Sequence, residues 1–240
     1  NEIGVIQPIE KVTEIARSSR ILFHTDAVQA VGKVPVDVKA MGIDMLSLSS
    51  HKIYGSKGVG VLYKRRGIRI EPLIFGGGHE KGLRAGTENV AGIVGTGKAA
   101  EIALKEMDSE RDRITLLRDK IIKGLFNRIP ELILNSSAED CLYNTINISI
   151  RHIEGEAILA LLDAHGLAFS SGSACSSRSL DPSHVLLSIG LDHAEAHGSL
   201  RISLGKYSSE AGADKLIEVL PTVVERLRSM SPFWNKGRSE

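Results

Sequence analysis

Only two cysteines, Cys141 and Cys175, occur in 240 residues. Two are too few for a disulfide framework, and they predict a reducing compartment, the cytoplasm. Zinc-type Cys/His spacing is absent. His184, His193 and His197 raise the question of a metal, since His193 and His197 stand four apart on an expected helix. A third ligand at suitable spacing is missing, so no metal is expected. Charge of one sign does not accumulate either: 30 Lys and Arg face 29 Asp and Glu, a net +1. That balance gives no electrostatic reason to expect nucleic acid or a membrane surface. Apolar runs stay well short of the length that crosses a bilayer, and no signal peptide is read. Internal repeats and low-complexity tracts are also lacking. What is present is the balance of a globular chain, 42% hydrophobic and 25% charged, long enough for one large or two modest domains.

Hydrophobic periodicity divides the chain. Residues 8–19 read as a helix with Pro8 in its first turn and Ile9, Val12, Ile15 and Ala16 on one face. Residues 20–24, 45–49 and 59–64 read as strands. Strands alternating with a helix predict an α/β layer. Residues 65–87 are rich in glycine and poor in period, the pattern of a long functional loop. A helical pattern begins at Asn89, and charged residues from Glu106 to Arg113 predict a solvated helix crossing into a second domain. Beyond it come a helix over 111–126, a strand over 146–150, a helix over 154–165, a Ser/Gly loop over 170–180, a strand over 200–204 and a closing helix over 209–230. The domains are therefore placed at 1–107 and 108–240, the second a smaller α/β unit.

The segment Ser47-Leu48-Ser49-Ser50-His51-Lys52-Ile53-Tyr54-Gly55 carries the strongest chemical signal. A buried strand delivers small hydroxyls, then a His-Lys pair, then a glycine turn. A lysine at a strand end lies where sheets open into crevices. Partial desolvation there lowers its proton affinity and lets the amine attack a carbonyl. The usual carbonyl in such chemistry is pyridoxal 5'-phosphate. Taken alone, a lysine after a strand is usually a solvated surface charge, and Lys52 by itself reads so. A second run, Ile21-Leu22-Phe23, leads into His24-Thr25-Asp26-Ala27-Val28-Gln29. It places a carboxylate at another strand end, and this cofactor needs one against its pyridine nitrogen to keep the ring an electron sink. Asp26 also fits a helix N-cap.

Together, His24 to Gln29 and Ser49-Ser50-His51-Lys52 resemble the cofactor site of the cysteine desulfurases of the NifS/IscS type, in the class-V aminotransferase family of fold-type I. The resemblance runs nearly end to end. It includes Asn1-Glu2-Ile3-Gly4, Gly76-Gly77-Gly78-His79-Glu80 with Arg84-Ala85-Gly86-Thr87, Ser170-Ser171-Gly172-Ser173-Ala174-Cys175, and Ser199-Leu200-Arg201-Ile202-Ser203-Leu204-Gly205. It implies a partial cofactor-binding large domain followed by a small domain bearing the cysteine loop. Within that frame Lys52 carries the cofactor covalently, Asp26 pairs with the pyridinium nitrogen, and Gln29 donates to the phenolic oxygen. Ser49 and His51 hold the phosphate, with His51 also counted beside Lys52 and Cys175 as catalytic. Thr87 reaches the phosphate of a neighbouring subunit in a homodimer. Arg201 clamps the substrate carboxylate, for which guanidinium geometry is suited, and Asn1 assists that clamp and contacts the cofactor. Cys175 is the nucleophile that collects sulfur.

Each residue also has a plain structural reading: a strand-end hydroxyl for Ser49, a surface imidazole for His51, a free loop thiol for Cys175, a salt-bridged arginine for Arg201, a surface-loop threonine for Thr87. Cys141 has no motif around it and reads as an inert small residue. Ser50 and Ala85 stand where relatives carry glycine and serine. Relatives also carry a segment ahead of Asn1, with a phosphate-binding turn and a ring-stacking histidine, so the resemblance implies that the N-terminal part is lacking. The implied activity turns L-cysteine into L-alanine and passes sulfur, as a persulfide, to an iron–sulfur scaffold or a thiolation acceptor. Two alternatives are a selenocysteine lyase or other class-V enzyme, and an incomplete fragment that binds a partner or a separate N-terminal chain.

Overall fold

The computed structural model describes residues 1–137, 139–170, 181–232 and 234. It divides into two compact units: Gln7–Asp108, and Ser109–Glu240 joined by Asn1–Ile6. The sequence reading put Asn1–Ile6 in the first unit. Backbone pairing with the second unit draws them there, through a Val5–Cys141 bridge, Leu142 N–H donating to Gly4 O, and Ile6 N–H donating to Asp140 O.

In the first unit, helix α1 (Ile9–Ser18) is entered through Pro8 and stops where Arg20 turns left-handed, at φ 56°. Strand β1 is His24–Asp26, β2 is Met45–Ser49 and β3 is Gly60–Lys64, in the order β1-β2-β3. β1 runs parallel to β2, with Asp26 opposite Ser47, and β2 runs antiparallel to β3. The strand expected over 20–24 thus begins later. Ahead of it, the Phe23 N–H is taken by a side chain and not by a strand neighbour. It donates to the Asp44 carboxylate at 2.9 Å, and the Phe23 carbonyl accepts from Asp44 and Met45. Ala27, Ile43 and Leu46 form the buried centre, flanked by Ile9, Phe23, Val31, Val38 and Met41. Buried Thr13 joins α1 to the chain before β2, its hydroxyl 2.7 Å from Met41 O.

Helix α2 (Val90–Phe126) is continuous through the charged stretch and supplies its C-terminal half to the second unit. That unit holds β4 (Leu132–Leu134), β5 (Thr145–Ile150), α3 (Gly155–Ala164), α4 (His184–Ser188), α5 (His193–His197), β6 (Ser199–Ser203) and α6 (Glu210–Met230). Its sheet, β4-β5-β6, is antiparallel throughout. Every residue of central β5 is buried. Ile146, Ile148 and Ile150 face a core with Ile114, Ile121 and Leu125 of α2, Ile158 and Leu162 of α3, and Leu216 and Leu220 of α6. Each such side chain contributes roughly 1.5–3 kcal/mol. The alternate residues of β5 are polar, and hydrogen bonds meet Asn147 and Ser149, as buried polar groups require. The Asn135 amide donates to Asn147 Oδ1 and Ser149 Oγ, both at 2.8 Å, and Ser136 Oγ accepts from Asn147 N–H. Strand β4, only three residues long, is too short for its period to be read in the sequence.

Candidate active site

β1 and β2 run parallel as neighbours, so their C-terminal ends open on the same edge of the first unit's sheet. Asp26 ends β1. β2 ends at Ser49 and passes directly into a one-turn 3₁₀ helix, Ser50–Ile53, that carries His51 and Lys52. The turn closes at Tyr54, which is left-handed at φ 64°, while Gly55 N–H donates to Ser50 O. A Cβ on Gly55 would stand 2.2 Å from Ser50 Oγ, so a side chain there would displace the buried Ser50 hydroxyl. Ser50 itself is fully buried, with its hydroxyl 2.8 Å from Thr96 Oγ1 of α2. That partner satisfies the buried hydroxyl.

Asp26, His51 and Lys52 are exposed, Gln29 and Ser49 half-buried. Asp26 Oδ1 accepts from Val28 N–H at 2.9 Å, which orients the carboxylate at the strand end. Ser49 Oγ and His51 Nδ1 lie 2.8 Å apart, and His24 Nε2 lies 2.8 Å from Ser47 Oγ. Lys33 went unnoticed in the sequence. Its Nζ is buried and finds no hydrogen-bond partner among the described residues. Burial, then the charge of Lys52, lowers its pKa from 10.5 to about 8. The segment is pressed there because Gly32, at φ 76°, packs directly on Ile53 and Ala103. Its only sequence signal is the glycine before it. Two amines that repel each other, beside a serine–histidine pair and one strand-end carboxylate, make a donor set suited to an anionic pyridine derivative. The residues present therefore fit pyridoxal 5'-phosphate.

Thr87 lies exposed in the segment between β3 and α2. In that segment Gly76, Glu80, Lys81, Gly82 and Gly86 all take positive φ, and Gly86 N–H donates to His79 Nδ1 at 3.3 Å.

Asn1 and Arg201 belong to the second unit. Arg201, in the middle of β6, faces Asn147 of β5, and its backbone bridges Ser170 on the other side. Arg201 Nη1 donates to Asn1 O at 3.2 Å, while its buried Nε has no partner among the described residues. A guanidinium with one arm held and its Nε unpaired among the described residues is equipped to take a carboxylate. Cys175 lies outside the described residues. Cys141 donates its thiol to Ile3 O at 3.3 Å, and burial raises its pKa. His184 lies on α4 and His193 and His197 on α5. Among the described residues no group of three or more His, Cys, Asp or Glu is placed to hold a metal, and no helix is long and apolar enough to cross a membrane.

Residues 1–216 match the model of the family described as aminotransferase class-V. The chain is 53% identical to a cysteine desulfurase IscS of Clostridium botulinum over 236 residues, 98% of this chain and 59% of that protein. It is 51% identical to the corresponding protein of Methanosarcina thermophila, covering 98% of this chain and 58% of the relative. Among solved structures, a NifS-like protein superposes with a TM-score of 0.86 at 38% identity, covering 94% of this chain and 59% of that one. A structure described as SspA in complex with cysteine matches with a TM-score of 0.67 at 37% identity, covering 87% and 57%. The chain thus spans less than two thirds of the length of these relatives. A match over nearly its whole length, on an α/β fold shared with NifS-like proteins, means that the chain belongs to the aminotransferase class-V family.

Proposed function

We propose that this chain is the cofactor- and sulfur-handling part of a cysteine desulfurase. It would convert L-cysteine and an enzyme thiol into L-alanine and an enzyme persulfide. The observation that carries this reading is Asp26 and Lys52 at the C-terminal ends of two neighbouring parallel strands, in a chain about half identical to proteins named for that activity.

When bound, pyridoxal 5'-phosphate supplies an electron sink conjugated to the substrate's Cα. Lys52 would hold that group covalently through Nζ, and its amine, when free, would move the proton at the substrate's Cα. Asp26 would keep the pyridine nitrogen protonated, and Gln29 would donate to the phenolic oxygen. Ser49 and His51 donate to the phosphate, beside the positive field of Lys33. Arg201 binds the substrate carboxylate through paired N–H groups, with Asn1 beside it. Cys175, as thiolate, attacks the substrate sulfur. A sulfur–sulfur bond forms, the Cβ–sulfur bond breaks, and its electron pair takes up a proton at Cβ to give alanine. Thr87 serves the cofactor of a partner subunit in a homodimer. The persulfide then passes in the cytoplasm to an iron–sulfur scaffold or a thiolation acceptor.

The test is spectroscopic and chemical. Purified native protein should show a visible absorbance band that borohydride removes and that Lys52→Ala lacks. It should also release alanine from L-cysteine, and Cys175→Ala should abolish sulfur transfer. A colourless protein that pyridoxal 5'-phosphate cannot reconstitute overturns the reading.

A further inference from the structure

The buried carboxylate of Glu2 has no part in the chemistry above, yet it is tied to the residues that do. Glu2 is 5% exposed. Its Oε2 accepts from the Ser183 hydroxyl at 2.5 Å, across 181 residues of sequence. Ser183 is itself buried and caps α4, accepting from Leu186 N–H. The carbonyl of Glu2 accepts from Asn147 Nδ2 at 3.1 Å. Glu2 is therefore gripped at both its side chain and its backbone. The adjacent peptide presents Asn1 O to Arg201 Nη1, and Asn147 is the residue directly opposite Arg201 in the sheet. The contacts form a closed circuit: Ser183 to Glu2, Glu2 to Asn147, Asn147 across to Arg201, and Arg201 back through Asn1.

A buried carboxyl group tied by hydrogen bonds to two other elements suits holding a geometry better than filling space. A short hydrogen bond between two buried side chains fixes geometry well. We propose that Glu2, anchored by Ser183, is a positioning residue that sets the Asn1 carbonyl and thereby the guanidinium orientation of Arg201 for a substrate carboxylate. This rests on the desulfurase reading. Without its anchor, the acceptor for Nη1 becomes mobile and Arg201 samples rotamers that cannot make a paired contact.

The experiment measures KM and kcat for L-cysteine in the native, cofactor-loaded protein. In parallel it measures the equilibrium dissociation constant for L-alanine, which keeps the carboxylate and lacks the thiol. Glu2→Ala and Ser183→Ala should each raise KM and weaken alanine binding by about tenfold, the scale of a lost buried hydrogen bond, with kcat nearly unchanged. Glu2→Gln, which still accepts from Ser183, should recover most of the loss. The Glu2→Ala/Ser183→Ala double variant should be no worse than either single one, because both remove the same contact. Arg201→Lys is the reference, expected to weaken alanine binding more than either. If Arg201→Lys weakens binding but Glu2→Ala and Ser183→Ala leave KM and alanine affinity unchanged, the positioning role is overturned and the desulfurase reading stands. If Arg201→Lys has no effect on carboxylate binding, the desulfurase reading of this arginine fails first. Should Glu2→Ala not fold, Ser183→Ala and Glu2→Gln decide the question by the same two constants.

Discussion

Lys33 offers a direct electrostatic test at the residue scale. Its ammonium is buried without a described partner, and its pKa is lowered to about 8 from 10.5. The folded state therefore holds this proton less tightly than the unfolded chain does. Below pH 8 both states are protonated, and the full cost of burying the charge opposes folding. Between pH 8 and 10.5 the unfolded state binds more protons, so this group's contribution rises with pH. Lys33→Met removes the charge and keeps the length. In urea unfolding, the variant should be more stable than the parent by about 3 kcal/mol at pH 7, from the size of the shift. That gap should close as the pH approaches 10. A gap independent of pH would show that Lys33 is not a buried cation in the folded protein. Cofactor phosphate, by pairing with the amine, should narrow the same gap at pH 7.

At the scale of elements, glycines separate positions where backbone packs on backbone from positions that merely lie in helices. Gly155, at the start of α3, would place a Cβ 2.7 Å from Ser199 O and 2.8 Å from His197 O. Neither carbonyl can withdraw without disturbing the entry into β6. Gly155→Ala is expected to cost about 2–3 kcal/mol in denaturant unfolding, as overpacking against rigid neighbours does. Gly97, inside α2, would meet nothing within 4 Å. Gly97→Ala should stabilise by about 0.5–1 kcal/mol, the helix-propensity difference alone. Helix α5 is set by Asp192, whose side chain accepts from Glu195 N–H while Glu195 returns the contact to the Asp192 backbone. Asp192→Ala should therefore cost about 1 kcal/mol. These elements were unevenly legible. β2, β6, α3 and α6 emerge from contiguous apolar runs or a helical period. β4 has only Leu132-Ile133-Leu134 and exists because β5 offers it an edge. Just ahead of β1, the Phe23 N–H goes to the Asp44 carboxylate, 21 residues away, a partner that no local pattern shows.

At the scale of the molecule, the two units differ in what holds them. The second has a continuous core in which α2, α3, α6, β5 and β6 all bury aliphatic side chains. The first has Ala27, Ile43 and Leu46 at its centre, with many partly buried neighbours. Opening free energies should follow burial. Hydrogen exchange is expected to show the amides of β5 and α6 as the slowest, and those of β1 and the 3₁₀ turn bearing Lys52 as markedly faster. Ile148→Ala should lower the stability of the second unit by about 3–4 kcal/mol while leaving exchange in β2 unchanged. Equal protection in both sheets would contradict this ranking.

Within 240 residues, the order of apolar runs, strand-end residues and glycine turns already determined the α/β class and the two lysine- and aspartate-bearing strand ends. Both are local properties, set by neighbours a few residues apart. Only the folded chain decided that β1 lies parallel beside β2, that Lys33 is buried near Lys52, and that Glu2 meets Ser183 across 181 residues. Such pairings leave no periodic mark in the chain, because their energy comes from desolvation and hydrogen bonds formed once distant segments have been brought together.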